Sequence, residues 1–260
     1  MKIFVTDVDG TTLLKGEKEF NKEVKNAFKK IKDNGNELIV ASGRTYRNLH
    51  KIFDYDDTIT YISENGNMIV ENGKILFLNK FKDGLARKII EYLGGINDIA
   101  ILVSTQSKAL YYENGEVYVD EDETPVEVNF QLIDFINFIN EEIIKISFYK
   151  EAMDEKFYEI YHFLINNFND VEVFNANNNR IDVSPTNGNK GEAVKFVFNK
   201  KHINLEDLYA FGDGENDISM LKLTKNSYCP NHALDVVKKN SNHTFTDFAL
   251  AVSSILSSSE

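Results

Sequence analysis

Two aspartates, Asp7 and Asp9, follow the short apolar run Ile3-Phe4-Val5 near the start of the chain. Such a run predicts a buried parallel strand whose end delivers both carboxylates to the loop at its C-terminal edge. Side chains two residues apart in a strand share a face. Two like charges that close are costly unless a cation joins them or one takes up a proton. The pair therefore suits a nucleophilic carboxylate beside a proton-donating one, with a divalent metal between. Gly10 permits a sharp exit from the strand, and Thr11 can tie the loop with its hydroxyl. A bare Asp-x-Asp is most often a strand end with solubilising aspartates, so the rest of the chain must decide.

Three further loops carry reactive or charged groups after a predicted strand or at a predicted helix start. In Ser42-Gly43-Arg44, a hydroxyl and the first N–H groups of a helix could grip a phosphoryl oxygen. Gly188-Asn189-Lys190-Gly191 sets a lysine at a helix start between glycines that permit close approach. Phe211-Gly212-Asp213-Gly214-Glu215-Asn216-Asp217 adds two more carboxylates and an amide. Singly, each reads as an ordinary turn or a solvated charge. Gly212-Asp213-Gly214 begins like a dinucleotide fingerprint but lacks the third glycine, and no Walker A pattern occurs. Their joint occurrence in this order carries the weight.

The elements needed to bring these loops together are legible. Strand 2–6 precedes a helix near 18–34, with Phe20, Val24, Ala27, Phe28 and Ile31 at helical spacing and Gly35 as its stop. Strand 38–41 runs into Ser42 and a helix beyond Arg44. Asn72-Gly73 and Asn114-Gly115 each predict a β-hairpin between apolar segments. The middle of the chain changes texture: helix 84–93, strand 99–104, an acidic solvated loop over Asp120 to Glu123, strand 143–149, helix 154–168, and strands 171–175 and 180–184. Alternation then resumes with helix 190–200, strand 208–212, helix 216–223, a strand at 227–229, helix 233–239 and helix 247–256. The expectation is an α/β fold. A doubly wound, Rossmann-like parallel-sheet core is built from 1–81 and 184–260, with a smaller α/β domain inserted over 82–183. Ligands of such sheets bind at the C-terminal strand edge, where all four loops would converge.

At 260 residues with 42% hydrophobic and 27% charged content, the chain can bury a large core and does not read as disordered. A net charge of -12 disfavours nucleic acid and anionic membranes as partners. An anionic ligand then needs local cations: a metal, a lysine or a helix N-terminus. The single cysteine, Cys229, excludes an internal disulfide and a cysteine metal cluster. No apolar run reaches the roughly 18 residues of a membrane span. Cytoplasmic location is the expectation, as a monomer or weak homo-oligomer. His50, His162, His202, His232 and His243 share no spacing, and none is promoted to ligand or base.

The four motifs together resemble the haloacid dehalogenase superfamily of phosphohydrolases, within the Cof-like group that carries a large α/β cap. Ile3 to Thr11 matches the hhhDxDGT motif, Ala41 to Arg44 the second motif, Asn189-Lys190-Gly191 the lysine motif, and Gly212 to Asp217 the GDxxND motif. Asp182 to Pro185 and Glu64-Asn65-Gly66 also resemble recurrent family elements, while Thr12 stands where leucine is usual. The resemblance implies a Mg²⁺-dependent phosphatase of small phosphorylated metabolites, sugar phosphates foremost. It implies Asp7 as the nucleophile that forms an aspartyl-phosphate and Asp9 as general acid, then base. Asp7, Asp9 (through its carbonyl), Asp213 and Asp217 are implied around the metal. Ser42, Gly43, Lys190 and Asn216 are implied at the phosphate, and the insert is implied as a lid. Arg44, Asn189, Arg180 and Asp182 are weaker candidates for substrate contacts. A phosphomutase of the same superfamily, a phospho-accepting signalling protein and a catalytically idle binding module are the competing readings.

Overall fold

Ile3 and Val5 point to one side of their strand and Phe4 to the other, and all three are wholly buried, so β1 (Ile3–Thr6) needs cover on both faces. The computed structural model describes residues 1–14, 16–82, 84–119, 125–175 and 179–258. The acidic loop expected over Asp120 to Glu123 lies outside the described residues.

After β1 come α1 (Lys22–Asp33), β2 (Glu37–Ala41), α2 (Tyr46–Ile52), β3 (Thr60–Ser63), β4 (Met68–Glu71) and β5 (Lys74–Leu78). The side chain of Asn21 caps α1 by accepting from the Val24 N–H, which satisfies one of the donors a helix start leaves open. The helix therefore begins later than the apolar spacing alone implied. Asn72 and Gly73 both take positive φ, 51° and 69°, and close the β4–β5 hairpin as expected of an Asn-Gly turn.

The middle segment runs α3 (Leu85–Gly94), β6 (Ile99–Thr105), β7 (Ala109–Glu113), β8 (Glu116–Val119), α4 (Leu132–Phe138), β9 (Ile143–Lys150), α5 (Glu155–Asn167), β10 (Val171–Asn175) and β11 (Arg180–Pro185). The chain closes with α6 (Lys190–Lys201), β12 (Leu208–Phe211), α7 (Ile218–Leu221), β13 (Ser227–Pro230), α8 (Asp235–Lys238), β14 (His243–Phe245) and α9 (Phe248–Ser257).

The chain divides into two compact units, Met1–Phe77 with Asn189–Glu260, and Leu78–Gly188. In the first, eight strands lie in the order β14-β13-β12-β1-β2-β3-β4-β5. The pairs from β14 through β3 are parallel, and β4 returns antiparallel to β3. One face packs Phe4, Leu38 and Val40 against Phe28 and Ile31 of α1 and Phe248 and Val252 of α9. The other packs Ile3, Val5, Ile39 and Ala41 against Ala193, Val194, Val197 and Phe198 of α6. This is the doubly wound α/β core.

In the second unit, six antiparallel strands lie in the order β10-β11-β9-β6-β7-β8. Ile101, Val103, Ile146, Phe148, Ile181 and Val183 alternate along three of them and join α3, α4 and α5 in one core. No helix among the described residues is long and apolar enough to cross a membrane.

Candidate active site

Parallel pairing of β1 with β12 sets the site. Thr6 lies opposite Phe211, and the Asp7 N–H donates to the Phe211 carbonyl at 2.9 Å, so the two aspartate loops leave the sheet side by side. Carboxylate oxygens of Asp7, Asp213 and Asp217 come within 4.8 Å of one another. The loops tolerate this approach because Gly10 sits at φ +85°, where a Cβ would stand 2.1 Å from Asp213 Oδ2. Any side chain there would collide with a carboxylate as well as strain the backbone. The Thr11 hydroxyl donates to Asp213 Oδ1 at 2.9 Å, and that of Thr12 donates to the Asp7 carbonyl at 3.1 Å. The departure at Thr12 thus serves the loop backbone.

Lys190 is the first residue of α6 and is wholly buried. Its ammonium donates to Asp7 Oδ1 at 2.6 Å and to Asp217 Oδ1 at 2.5 Å. Burial alone would push Lys190 down, but the carboxylates of Asp217 and Asp7 outweigh it and hold the ammonium above its ordinary value. Asp217 also accepts the N–H groups of Asp213 at 3.0 Å and Gly214 at 2.9 Å, which folds the acidic motif into a tight turn.

Three carboxylates thus face one ammonium. Burial, then Asp217 and Asp213, push the Asp7 carboxyl well up despite Lys190. Burial followed by Asp217 pushes Asp213 up to about 6. A divalent cation would offset the carboxylates' charge, and an all-oxygen donor set suits a hard ion. A raised carboxyl pKa favours the folded state at low pH, and that contribution is lost as pH rises through the folded value. Asp213→Asn, which keeps an acceptor for Thr11, should therefore gain stability over the native chain above about pH 6. The advantage should be roughly 2–3 kcal/mol without metal and fade toward pH 4. Paired denaturation curves across that range check it, and a constant difference removes the shift at Asp213.

Helix α2 begins at Tyr46, beyond Arg44 as expected, and is capped by the Thr45 side chain, so the N–H groups of Ser42 and Gly43 are not those of its first turn. Ser42 is instead braced by backbone bonds: its N–H donates to the Ile62 carbonyl at 2.9 Å, and its carbonyl accepts from the Asn65 N–H at 3.0 Å. Glu64, Asn65 and Gly66 all take positive φ, at 52°, 59° and 107°. A Cβ on Gly66 would meet the Asn189 carbonyl oxygen at 2.5 Å. Three left-handed residues in a row are costly and persist where the surroundings dictate them. Here they let the segment brace both the Ser42 and the Asn216 loops, since Asn216 donates its amide to Asn65 Oδ1 at 3.1 Å.

Several candidates have other partners. Asn189 caps α6, its side chain accepting from the Glu192 N–H at 2.9 Å. Arg44 binds Asp9 with both arms of its fork, at 2.7 and 2.6 Å. Arg180 and Asp182 belong to the second unit, where Asp182 Oδ1 accepts from the Ser147 hydroxyl at 2.6 Å and lies 3.0 Å from Arg180 Nε. His232 was passed over in the sequence, yet its Nε2 lies 3.0 Å from the Gly10 carbonyl oxygen, and its charge would favour an ionised Asp213. Its one signal was position, just beyond the strand that neighbours the acidic motif.

Site and fold define a hydrolase family. A sequence model of the haloacid dehalogenase-like hydrolases matches residues 4–249, and the chain belongs to that family. One relative, the 5-amino-6-(5-phospho-D-ribitylamino)uracil phosphatase YbjI of Escherichia coli, is 26% identical over 237 residues, covering 90% of this chain and 86% of its own. Another, from Bacillus subtilis, bears the same phosphatase name and is 22% identical over 244 residues, 94% of this chain and 89% of its own. Among solved structures, a protein of Streptococcus mutans superposes with a TM-score of 0.80 at 21% identity over 99% of both chains. A subclass IIB sugar phosphatase of the family superposes at 0.74 with 17% identity, over 98% of this chain and 99% of its own.

Proposed function

We propose that the chain is a Mg²⁺-dependent phosphatase of small phosphorylated metabolites, with phosphorylated sugars and polyols foremost. The observation that carries the reading is the trio of buried Asp7, half-buried Asp213 and buried Asp217, of which Asp7 and Asp217 accept from the ammonium of Lys190. Asp7, Asp213 and Asp217 would hold the ion, with the Asp9 carbonyl as a further oxygen. Bound there, Mg²⁺ would offset the excess negative charge and draw charge from a phosphoryl oxygen.

Asp7 attacks phosphorus, and the ester oxygen leaves as Asp7 becomes an aspartyl-phosphate. Asp9 gives its proton to that leaving oxygen, then takes one from the water that releases inorganic phosphate. Lys190 keeps Asp7 aligned, and its ammonium, the Ser42 hydroxyl and the Gly43 N–H stabilise the equatorial oxygens as charge spreads. Asn216, whose amide donates to Asn65 Oδ1, would add a polar group at the phosphate. The relatives named for a phosphoribitylamino-uracil and the solved sugar phosphatase support a polyol or sugar phosphate as substrate.

A panel of sugar, polyol, nucleotide and vitamin phosphates, assayed for inorganic phosphate, tests the proposal. Turnover should appear with Mg²⁺ and fall at least about 10²-fold in a chelator. Isomerised ester without free phosphate would make the protein a mutase, and no turnover across the panel would sink the reading.

A further inference from the structure

Asp9 is the exposed member of the acidic pair, its side chain 56% accessible, while that of Arg44 is 28% accessible. An ion pair so open to water contributes only about 0.2–1 kcal/mol, so stability does not account for how elaborately this one is held. Arg44 Nε donates to Asp9 Oδ2 at 2.7 Å and Nη2 to Asp9 Oδ1 at 2.6 Å, a two-pronged contact that fixes the carboxylate plane. The remaining arm, Nη1, donates to Asn48 Oδ1 at 2.6 Å. Asn48 lies in the first turn of α2, where its N–H donates to the capping Thr45 hydroxyl at 3.2 Å. The Arg44 backbone is pinned too: its N–H donates to the Ser42 hydroxyl at 3.2 Å, and its carbonyl accepts from Glu64 at 3.0 Å. A chain of bonds thus runs from α2 and the left-handed segment to one carboxylate two residues from Asp7.

We infer that Arg44 is a positioning residue for proton transfer, its fork braced by Asn48 and its task to aim the Asp9 carboxyl at the leaving-group oxygen. The inference rests on the phosphatase reading and adds to it a device for the acid–base partner. In the first step the Asp7–phosphorus bond forms, the phosphorus–ester oxygen bond breaks, and a proton that Asp9 has taken up from solvent passes to the departing oxygen, giving an alcohol and the Asp9 carboxylate that the Arg44 fork holds. In the second, water oxygen bonds to phosphorus, the Asp7–phosphorus bond breaks, and a water proton returns to Asp9. A misplacement of about 1 Å can cost roughly 10²-fold in such a transfer.

The leaving group supplies the readout, because an alkoxide needs the Asp9 proton and a nitrophenolate does not. The quantity to follow is kcat/KM, which stops at the first phosphoryl transfer and so excludes the second use of Asp9. Arg44→Ala should lose about 10²-fold on a sugar or glycerol phosphate and less than about 3-fold on p-nitrophenyl phosphate. Added guanidinium ion should restore part of the alkyl-ester loss, whereas Arg44→Lys, which offers no fork, should retain the same skew. Asn48→Ala should reproduce the skew at about 10-fold, and with Arg44→Lys it carries the test if Arg44→Ala does not fold. Equal losses on both esters, or no loss on either, overturn the inference and leave the phosphatase reading standing. A native protein with no turnover on any ester overturns both.

Discussion

Asp7→Asn is expected to lower turnover at least about 10⁴-fold while leaving a folded protein, because on the proposed mechanism it removes the anionic nucleophile and little else. The residue is 5% exposed, and asparagine nearly matches its shape, so packing changes little. Electrostatics favour the variant. Burial and the neighbouring Asp217 and Asp213 already push the Asp7 carboxyl well above its usual range, so neutralising it relieves repulsion. Lys190 retains Asp217 as an anionic partner at 2.5 Å. The metal-free variant should therefore melt no lower than the native chain, and Mg²⁺ should stabilise it less. Phosphate release, with mass spectrometry of the native chain trapped on substrate, separates the roles: the phosphoryl adduct should map to Asp7. A variant with near-native turnover removes Asp7 as nucleophile, whatever the fold.

How much of this was legible beforehand depended on the range of the interactions. Strands at the sheet centre announced themselves, because β1 and β2 are covered on both faces and must be continuously apolar. The two Asn-Gly hairpins were equally plain, since residues that tolerate positive φ are few. By contrast α4 has no side-chain cap bond and only seven residues, and β14 is a three-residue edge strand, so neither left a pattern to read. Their existence is dictated by the sheet and core they complete.

The site divides along the same line. Each acidic loop was visible as a motif, but the sequence could not give the balance of charge at their meeting point. That balance follows from register: β1 beside β12 brings Asp7 to Asp213 across 206 residues of chain, and α6 returns Lys190 between Asp7 and Asp217. The brace from Glu64 to Gly66 was noticed as a resemblance, while its function depends on three left-handed residues that no composition rule foretells. Arg44 was legible only as a weaker candidate for a substrate contact, and only the fold shows that its guanidinium meets the chain's own Asp9.

Lys190 should be the residue whose loss harms both folding and rate. It is wholly buried, and it donates to Asp7 and Asp217 at once. Lys190→Met keeps the volume of the stem and removes the charge, leaving two buried carboxylates without their counter-ion. Breaking a buried pair in this way costs about 3–5 kcal/mol, which lowers the melting temperature on the order of 10 °C. Proton uptake by one of the carboxylates limits the damage, so the loss should be largest at high pH and shrink as pH falls toward 5. Added Mg²⁺ supplies charge to the same cluster, and it should raise the variant's melting temperature by more than the native chain's. Turnover should nevertheless stay depressed by about 10²–10³-fold, because on the proposed mechanism an ion among the carboxylates does not replace an ammonium at the phosphoryl oxygens. Melting curves with and without Mg²⁺ at two pH values, together with kcat on the best ester found, measure each component. If Lys190→Met is as stable as the native chain in chelator at pH 8, Asp7 and Asp217 do not depend on that lysine. The excess negative charge that calls for a cation would then not exist in the folded protein.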